Sequence, residues 1–196
     1  MKFSVDFVKN FYSKEEADAV EEFMRSQPYV RPPNKRRPKT GVLRHVGFAA
    51  YAAVREIRDG KSPLNPFEDR PPVYREITRR IEVYAGLPAG YLNRIGAHGY
   101  ENPNDGMNYH QHKQVRNQSD QSVYVFSVGT PGHIIGIREL GDTNKDNEEH
   151  FYATHGSLYI LPHSYNATHE HAVLRDKLCP GMQIGFDCRH TDVLTY

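Results

Sequence analysis

The chain has 196 residues, 38% hydrophobic and 25% charged, with a formal net charge of +1. That is enough for one domain with its own core, cramped for two, and without the global field that pulls a protein onto nucleic acid. No apolar run is long enough to span a bilayer, and MKFSVDFVKNFYSKEE lacks both the apolar core and the cleavage site of a secretory signal, so a soluble cytoplasmic or nuclear protein is expected.

Ser13 followed by Glu16 makes a capping-box pattern, and Ala17, Val20, Phe23 and Met24 recur at helical spacing, which predicts a first helix over 14–26. The stretch 27–44 is rich in proline and basic residues and predicts a loop. No acidic residue occurs between Glu22 and Glu56, while Arg31, Lys35, Arg36, Arg37, Lys39 and Arg44 fall close together. Such a patch reads either as a phosphate-contacting loop or as a solvated surface connection. Pro71 and Pro72 can open a second helix with Val73, Ile77, Ile81 and Tyr84 as its apolar stripe and Gly86 as its stop.

From Asn93 onward the period shortens. Segments 95–100, 107–112, 122–128, 133–138, 157–161, 168–174 and 182–188 read as strands, separated by turn residues at 102–106, 129–132 and 141–147. Helices first and strands after predict an α+β domain, and many short strands without intervening helices predict a sandwich or jelly roll. Cys179 and Cys188 are too few for a disulfide framework and too isolated for a zinc knuckle, so they read as reduced thiols.

Eleven histidines are many for this length, and position singles out a few. His110 and His112 stand two apart in a predicted strand, so their rings share a face and can reach one ion. The segment ATHEHAV offers His169 or His171 as a third ligand from a later strand. Three imidazoles leave coordination positions open, as a catalytic rather than a structural site requires, and suit iron, zinc, copper or nickel. A cupin would show a glutamate shortly after the H-x-H pair, where 113–117 has none.

Several stretches, in order, resemble the AlkB-like branch of iron(II) and 2-oxoglutarate-dependent dioxygenases: DFVKNFYSKEEAD, HGYENPNDGMNYHQHKQ, THGSLYILP with EHAV, and QIGFDCR. The resemblance implies one domain over 1–196, with N-terminal helices and a basic substrate lid in 1–90 and a double-stranded β-helix, or jelly roll, in 91–190, the helices packed on one sheet. It implies Fe(II) held by His110, His112 and His171, which decides against His169. Tyr100, His98, Gln183 and Arg189 fall at cosubstrate positions, and Arg36, Arg37, Lys39 and Arg44 in the lid contact a nucleobase, nucleoside or nucleic acid that is hydroxylated or demethylated with O2 and 2-oxoglutarate. Phe48, Tyr51 and Tyr29 read first as core packing and second as the aromatic that would stack on a base.

The chain departs from the family's pattern at His112 (an aspartate there), His98 (an asparagine), Gln183 (the first arginine) and Gly185 (an asparagine). Imidazole for carboxylate raises the charge of the centre by one unit. Glutamine gives the far carboxylate of 2-oxoglutarate only a neutral hydrogen bond, and losing a charged partner costs on the order of 2–5 kcal/mol. Lys113, Arg116 or Arg138 would have to compensate. The departures carry two alternatives: a three-His enzyme of this fold that does not use 2-oxoglutarate, and a degenerate site whose basic loop binds nucleic acid.

Overall fold

The structure, a computed structural model, describes residues 5–31, 46–52, 65–112, 122–129, 132–175 and 181–191. In chain order these form β1 (Asp6–Val8), α1 (Lys14–Ser26), β2 (Val46–Gly47), β3 (Tyr51–Ala52), β4 (Asn65–Pro66), a 3-10 turn (Phe67–Asp69), α2 (Pro72–Ala85), β5 (Arg94–Tyr100) and β6 (Met107–His110). Then come β7 (Val123–Val128), β8 (His133–Glu139), a second 3-10 turn (Lys145–Asn147), β9 (Glu149–Ala153), β10 (Ser157–Leu161), α3 (His163–Thr168), β11 (His169–Leu174) and β12 (Gln183–Arg189).

Helix α1 starts where its capping box places it: the Ser13 hydroxyl accepts from Glu16 N–H at 3.2 Å, and Ser13 N–H donates to the Glu16 carboxylate at 2.8 Å. Ala17, Val20 and Met24 form its buried face. Helix α2 ends at Gly86, whose φ of 65° is the left-handed cap that glycine adopts without cost. Its buried face is rotated from the predicted stripe. Tyr74, Thr78 and Glu82 are buried with Ile77 and Ile81, while Tyr84 is 52% exposed. The buried Glu82 explains part of that rotation, because its carboxylate accepts from Gly90 N–H at 3.1 Å and Leu92 N–H at 2.8 Å, tying the helix to the approach of β5.

Two sheets face each other in an α+β jelly roll. Among the described residues the larger has the order β1-β10-β7-β12-β5-β3-β4, with β2 added against β5, and the smaller the order β6-β11-β8-β9. Both helices cover the outer face of the larger sheet, where Ala17, Met24, Ile77 and Ile81 join Ile95, Phe126, Leu158, Ile184 and Phe186 in the main core. A second apolar cluster lies between the sheets, built by Val123, Val125, Tyr159 and Leu161 from one and Ile135, Ile137 and Ala153 from the other. Strand alternation therefore sends odd-numbered positions of β12 inward and even-numbered ones to the core.

Strand β9 was not predicted, nor was helix α3, which occupies six residues just before β11. The predicted strand 107–112 stops at His110, because the next residues dock on α3 instead of continuing the ladder. Cys188 is a buried free thiol as expected, and Cys179 lies outside the described residues. Among the described residues no helix is long and apolar enough to cross a membrane.

Candidate metal centre

Strands β6 and β11 pair with His110 directly opposite His171, so the ladder itself brings these two rings to a centroid distance of 4.2 Å. His112 reaches the same place by another route. Its N–H donates to Asn166 Oδ1 at 2.8 Å and its carbonyl accepts from Asn166 Nδ2 at 3.0 Å, a two-sided clamp from a buried side chain of α3. Gln111 Nε2 donates to the Asn166 carbonyl at 2.9 Å and so caps the end of the same helix. The His112 ring then lies 4.9 Å from that of His171 and 5.4 Å from that of His110.

One nitrogen from each of His110, His112 and His171 lies within 4.8 Å of the others, a spacing from which one ion can be held. The chemistry of the set fits a divalent metal. Burial, first of all, lowers the affinity of all three rings for protons; the other two rings reinforce this at His112, and His110 reinforces it at His171. Neutral imidazoles are the ligating form. His110 Nδ1 lies 2.9 Å from the Asn108 carbonyl, to which it donates, leaving Nε2 with its lone pair free. At His112, Arg189 Nη1 donates to Nδ1 at 2.9 Å, and since a guanidinium has no lone pair, the ring's own proton sits on Nε2. A metal taking this ring exchanges with that proton or with the arginine.

The other predicted residues are distributed unevenly. His169 is outside the cluster and stacks on Tyr165 at 4.1 Å. Arg189 is buried beside His112. Tyr100 is buried, its phenol pushed above the ordinary range by burial, with its ring edge-on to His133 at 5.1 Å. His98 is half-exposed and its Nε2 lies 3.6 Å from Asp187 Oδ1. Gln183 is buried, and its Oε1 accepts from Gly132 N–H at 3.0 Å. Its side chain lies so close to Gly129 that a Cβ there would sit 2.7 Å from Gln183 Oε1, and Gly129 also has a φ of 110°.

Arg36, Arg37, Lys39 and Arg44 lie outside the described residues, as do Lys113 and Arg116. Arg31, at the edge of the basic run, is committed to Asp105 at 3.0 Å and to Glu101. Arg138 does not compensate for Gln183: it pairs with Glu170 at 2.6 Å and Glu148 at 3.3 Å and lies over the Tyr109 ring. Phe48 belongs to the core and Tyr51 packs against it, whereas Tyr29 is 43% exposed and meets the Phe48 ring edge at 5.6 Å.

Two residues of the site escaped the sequence reading. Asn166 had no signal, since it acts from an unpredicted helix. Asp187 did have one, because β12 alternation puts it on the same face as Gln183, Gly185 and Arg189. Burial pushes its carboxyl up, but the hydrogen bond from His98 and the charges of Arg189 and Arg94 outweigh that and hold it well below the usual carboxylate range. Gly96 leaves room for it, since a Cβ there would stand 3.0 Å from Asp187 Oδ1.

No family model matches the chain, and no curated protein does. Solved structures do. OsALKBH1 superposes with a TM-score of 0.66 at 15% identity over 95% of this chain and 97% of its own. An oxidoreductase of the 2OG-Fe(II) oxygenase family from Burkholderia pseudomallei superposes with a TM-score of 0.63 at 12% identity over 97% of this chain and 86% of its own. The chain has the AlkB-like oxygenase fold.

Proposed function

We propose that this chain is a metal-dependent oxygenase in which His110, His112 and His171 hold Fe(II) and a nucleobase or nucleoside-like substrate is hydroxylated or oxidatively demethylated. The observation that carries it is the convergence of three neutral imidazoles, His171 buried and His110 and His112 partly buried, drawn from two strands and a helix-docked turn, on the inner face of this fold. Bound by these residues, such an ion would supply the redox chemistry that activates molecular oxygen.

The protein's own groups then have separable tasks. Asn166 fixes the backbone of His112 and, through it, the direction of the ring. Asp187 supplies negative charge that is felt at all three rings, which offsets the absence of a carboxylate ligand. Arg189 offers a buried guanidinium beside His112 to an anionic group entering the site. In this reading Arg36, Arg37, Lys39 and Arg44 bind the phosphate or sugar of the substrate, and Tyr29, the most exposed of the three candidate aromatics, is available to a base.

The test is metal content. Protein purified without added metal, then titrated with Fe(II) or Mn(II) under anaerobic conditions, takes up one equivalent, and His171→Ala does not. A chain that binds neither ion ends this reading. Salt-dependent nucleic-acid affinity that survives replacement of all three histidines would instead favour a degenerate binding protein.

The engagement of Gln183 by Gly132 favours a second reading, a three-His enzyme that does not use 2-oxoglutarate. Oxygen uptake measured with and without 2-oxoglutarate separates the two.

A further inference from the structure

The inner face of β12 runs from Arg189 beside the three histidines, through Asp187 and Gly185, to Gln183, and its two ends differ in chemistry. At the far end stands His133 of β8, 5% exposed. It hydrogen-bonds the Ile184 backbone, and its Nε2 is buried without a partner. Ser127 Oγ on β7 is likewise buried and unpartnered. The register sets Ser127 opposite Gly185, and a Cβ at Gly185 would stand 3.8 Å from His133 Nε2. His133 Nε2 therefore borders the space that the missing side chain of Gly185 leaves, and Ser127 is the cross-strand neighbour of Gly185 on the same face. Buried polar atoms without partners carry a cost, and a ligand that pairs with both removes it.

What surrounds them is not built for an anion. Gln183 is neutral and its Oε1 is occupied by Gly132 N–H. Asp187, the next inward residue beyond Gly185, is a carboxylate held in its charged form. Burial pushes the His133 ring down to about 4, so at neutral pH its bare Nε2 accepts a hydrogen bond and offers none. A carboxylate placed there would face a bare ring nitrogen that has no proton to share, which disfavours it.

We propose that the far end of the inner face is a subsite for an uncharged hydrogen-bonding group, a carboxamide or an alcohol, so that the cosubstrate is a 2-oxo acid with an uncharged polar tail and not 2-oxoglutarate. The tail's N–H or O–H donates to His133 Nε2, and its oxygen accepts from the Ser127 hydroxyl. The 2-oxo acid group remains at the histidine end, where the Arg189 guanidinium lies beside His112. Such a molecule supplies the electrons that 2-oxoglutarate would: it loses carbon dioxide, one atom of O2 enters the carboxylate left behind, and the other enters the substrate C–H bond as hydroxyl. The inference rests on the metal-centre reading and specifies its cosubstrate.

The experiment is calorimetry on the Mn(II)-loaded chain with two inert mimics that differ only in the tail, N-oxalylglycine with a carboxylate and N-oxalylglycinamide with a carboxamide. The amide binds at least about tenfold more tightly. Ser127→Ala, a near-isosteric change, removes most of that preference, and Gln183→Arg reverses it. Should Gln183→Arg fail to fold, the wild-type preference and the serine variant still decide. If the loaded chain binds the carboxylate form as tightly, or binds neither, this inference is overturned while the metal centre stands. If the chain takes up no Mn(II), the metal-centre reading fails and this inference fails with it.

Discussion

Along β12 the two faces of the larger sheet have opposite composition. On β12 the residues turned to the helices are Ile184, Phe186 and Cys188, all fully buried in the main core, while those turned to the other sheet are Gln183, Gly185, Asp187 and Arg189. On β7, Phe126 and Val128 face the core and Ser127 faces inward. The outer face supplies stability through non-directional apolar burial, and the inner face adds, beside its own smaller apolar cluster, polar groups whose value depends on geometry. Because the strand period is two, neighbouring residues can be changed to test one face without touching the other.

The outer face should give the largest stability effect. Phe186 is fully buried, 5.7 Å from the Phe126 ring and 5.6 Å from that of Tyr74. Phe186→Ala is expected to cost about 3–5 kcal/mol in denaturant unfolding. A cost under roughly 1.5 kcal/mol would show that the helices do not seal the main core. On the inner side, His171→Ala removes a ligand, not packing. We expect metal affinity to fall by roughly 3–4 kcal/mol, the share of one ligand in a typical site, with little change in the metal-free melting temperature. Equal losses in both measurements would erase the distinction between the faces.

The inner face also carries a pH signature. His133 is held down to about 4 by burial, against an ordinary value of 6.5. The unfolded chain therefore takes up a proton first as pH falls. The stability tied to the neutral ring is fully present above about 6.5 and is lost as pH drops towards 4, amounting to about 3 kcal/mol. Unfolding followed between pH 7 and 4 should show this slope, and His133→Leu should reduce it by that share, the rings of the metal-free cluster contributing the rest. Asn166→Ala is expected to be milder. It leaves His112 in place but unclamped, and metal affinity should fall about 10- to 100-fold. An unchanged affinity would mean that the turn after β6 holds His112 unaided.

Much of this was visible in the sequence where one rule dominates locally. The α1 capping box, the Gly86 stop and the alternation of β12 each depend on neighbours within a few residues. The strand alternation of the H-x-H pair holds at His110 and not at His112. Alternation would put both on one strand face, but the strand ends and Asn166, 54 residues later, takes over the positioning. Long-range clamps of that kind leave no periodic trace. The rotation of α2 had the same origin, since the backbone donors that Glu82 meets lie beyond its own helix. The assignment of His171 over His169 came from family resemblance, and the geometry that brings it to the cluster is the pairing of β11 with β6.

The smallest stability effect should come from Gly185→Ala, and it is the sharpest probe of the inner face. Gly185 lies in the middle of β12, outside the positive-φ glycines, and an added Cβ meets only ordinary contacts at 3.8 Å, to His133 Nε2 and Val125 Cγ1. Removing a glycine from a strand reduces the freedom of the unfolded chain, so stability should be unchanged or rise, by no more than about 0.5–1 kcal/mol. The methyl would nevertheless stand in the space that His133 Nε2 borders, across the ladder from Ser127, and N-oxalylglycinamide should bind about tenfold more weakly to a fully folded protein. A loss of stability above ~1 kcal/mol would assign the glycine to packing. Unchanged binding by a stable variant would show that nothing is seated above Gly185. Only weaker binding without loss of stability matches a glycine kept there to leave room for a ligand.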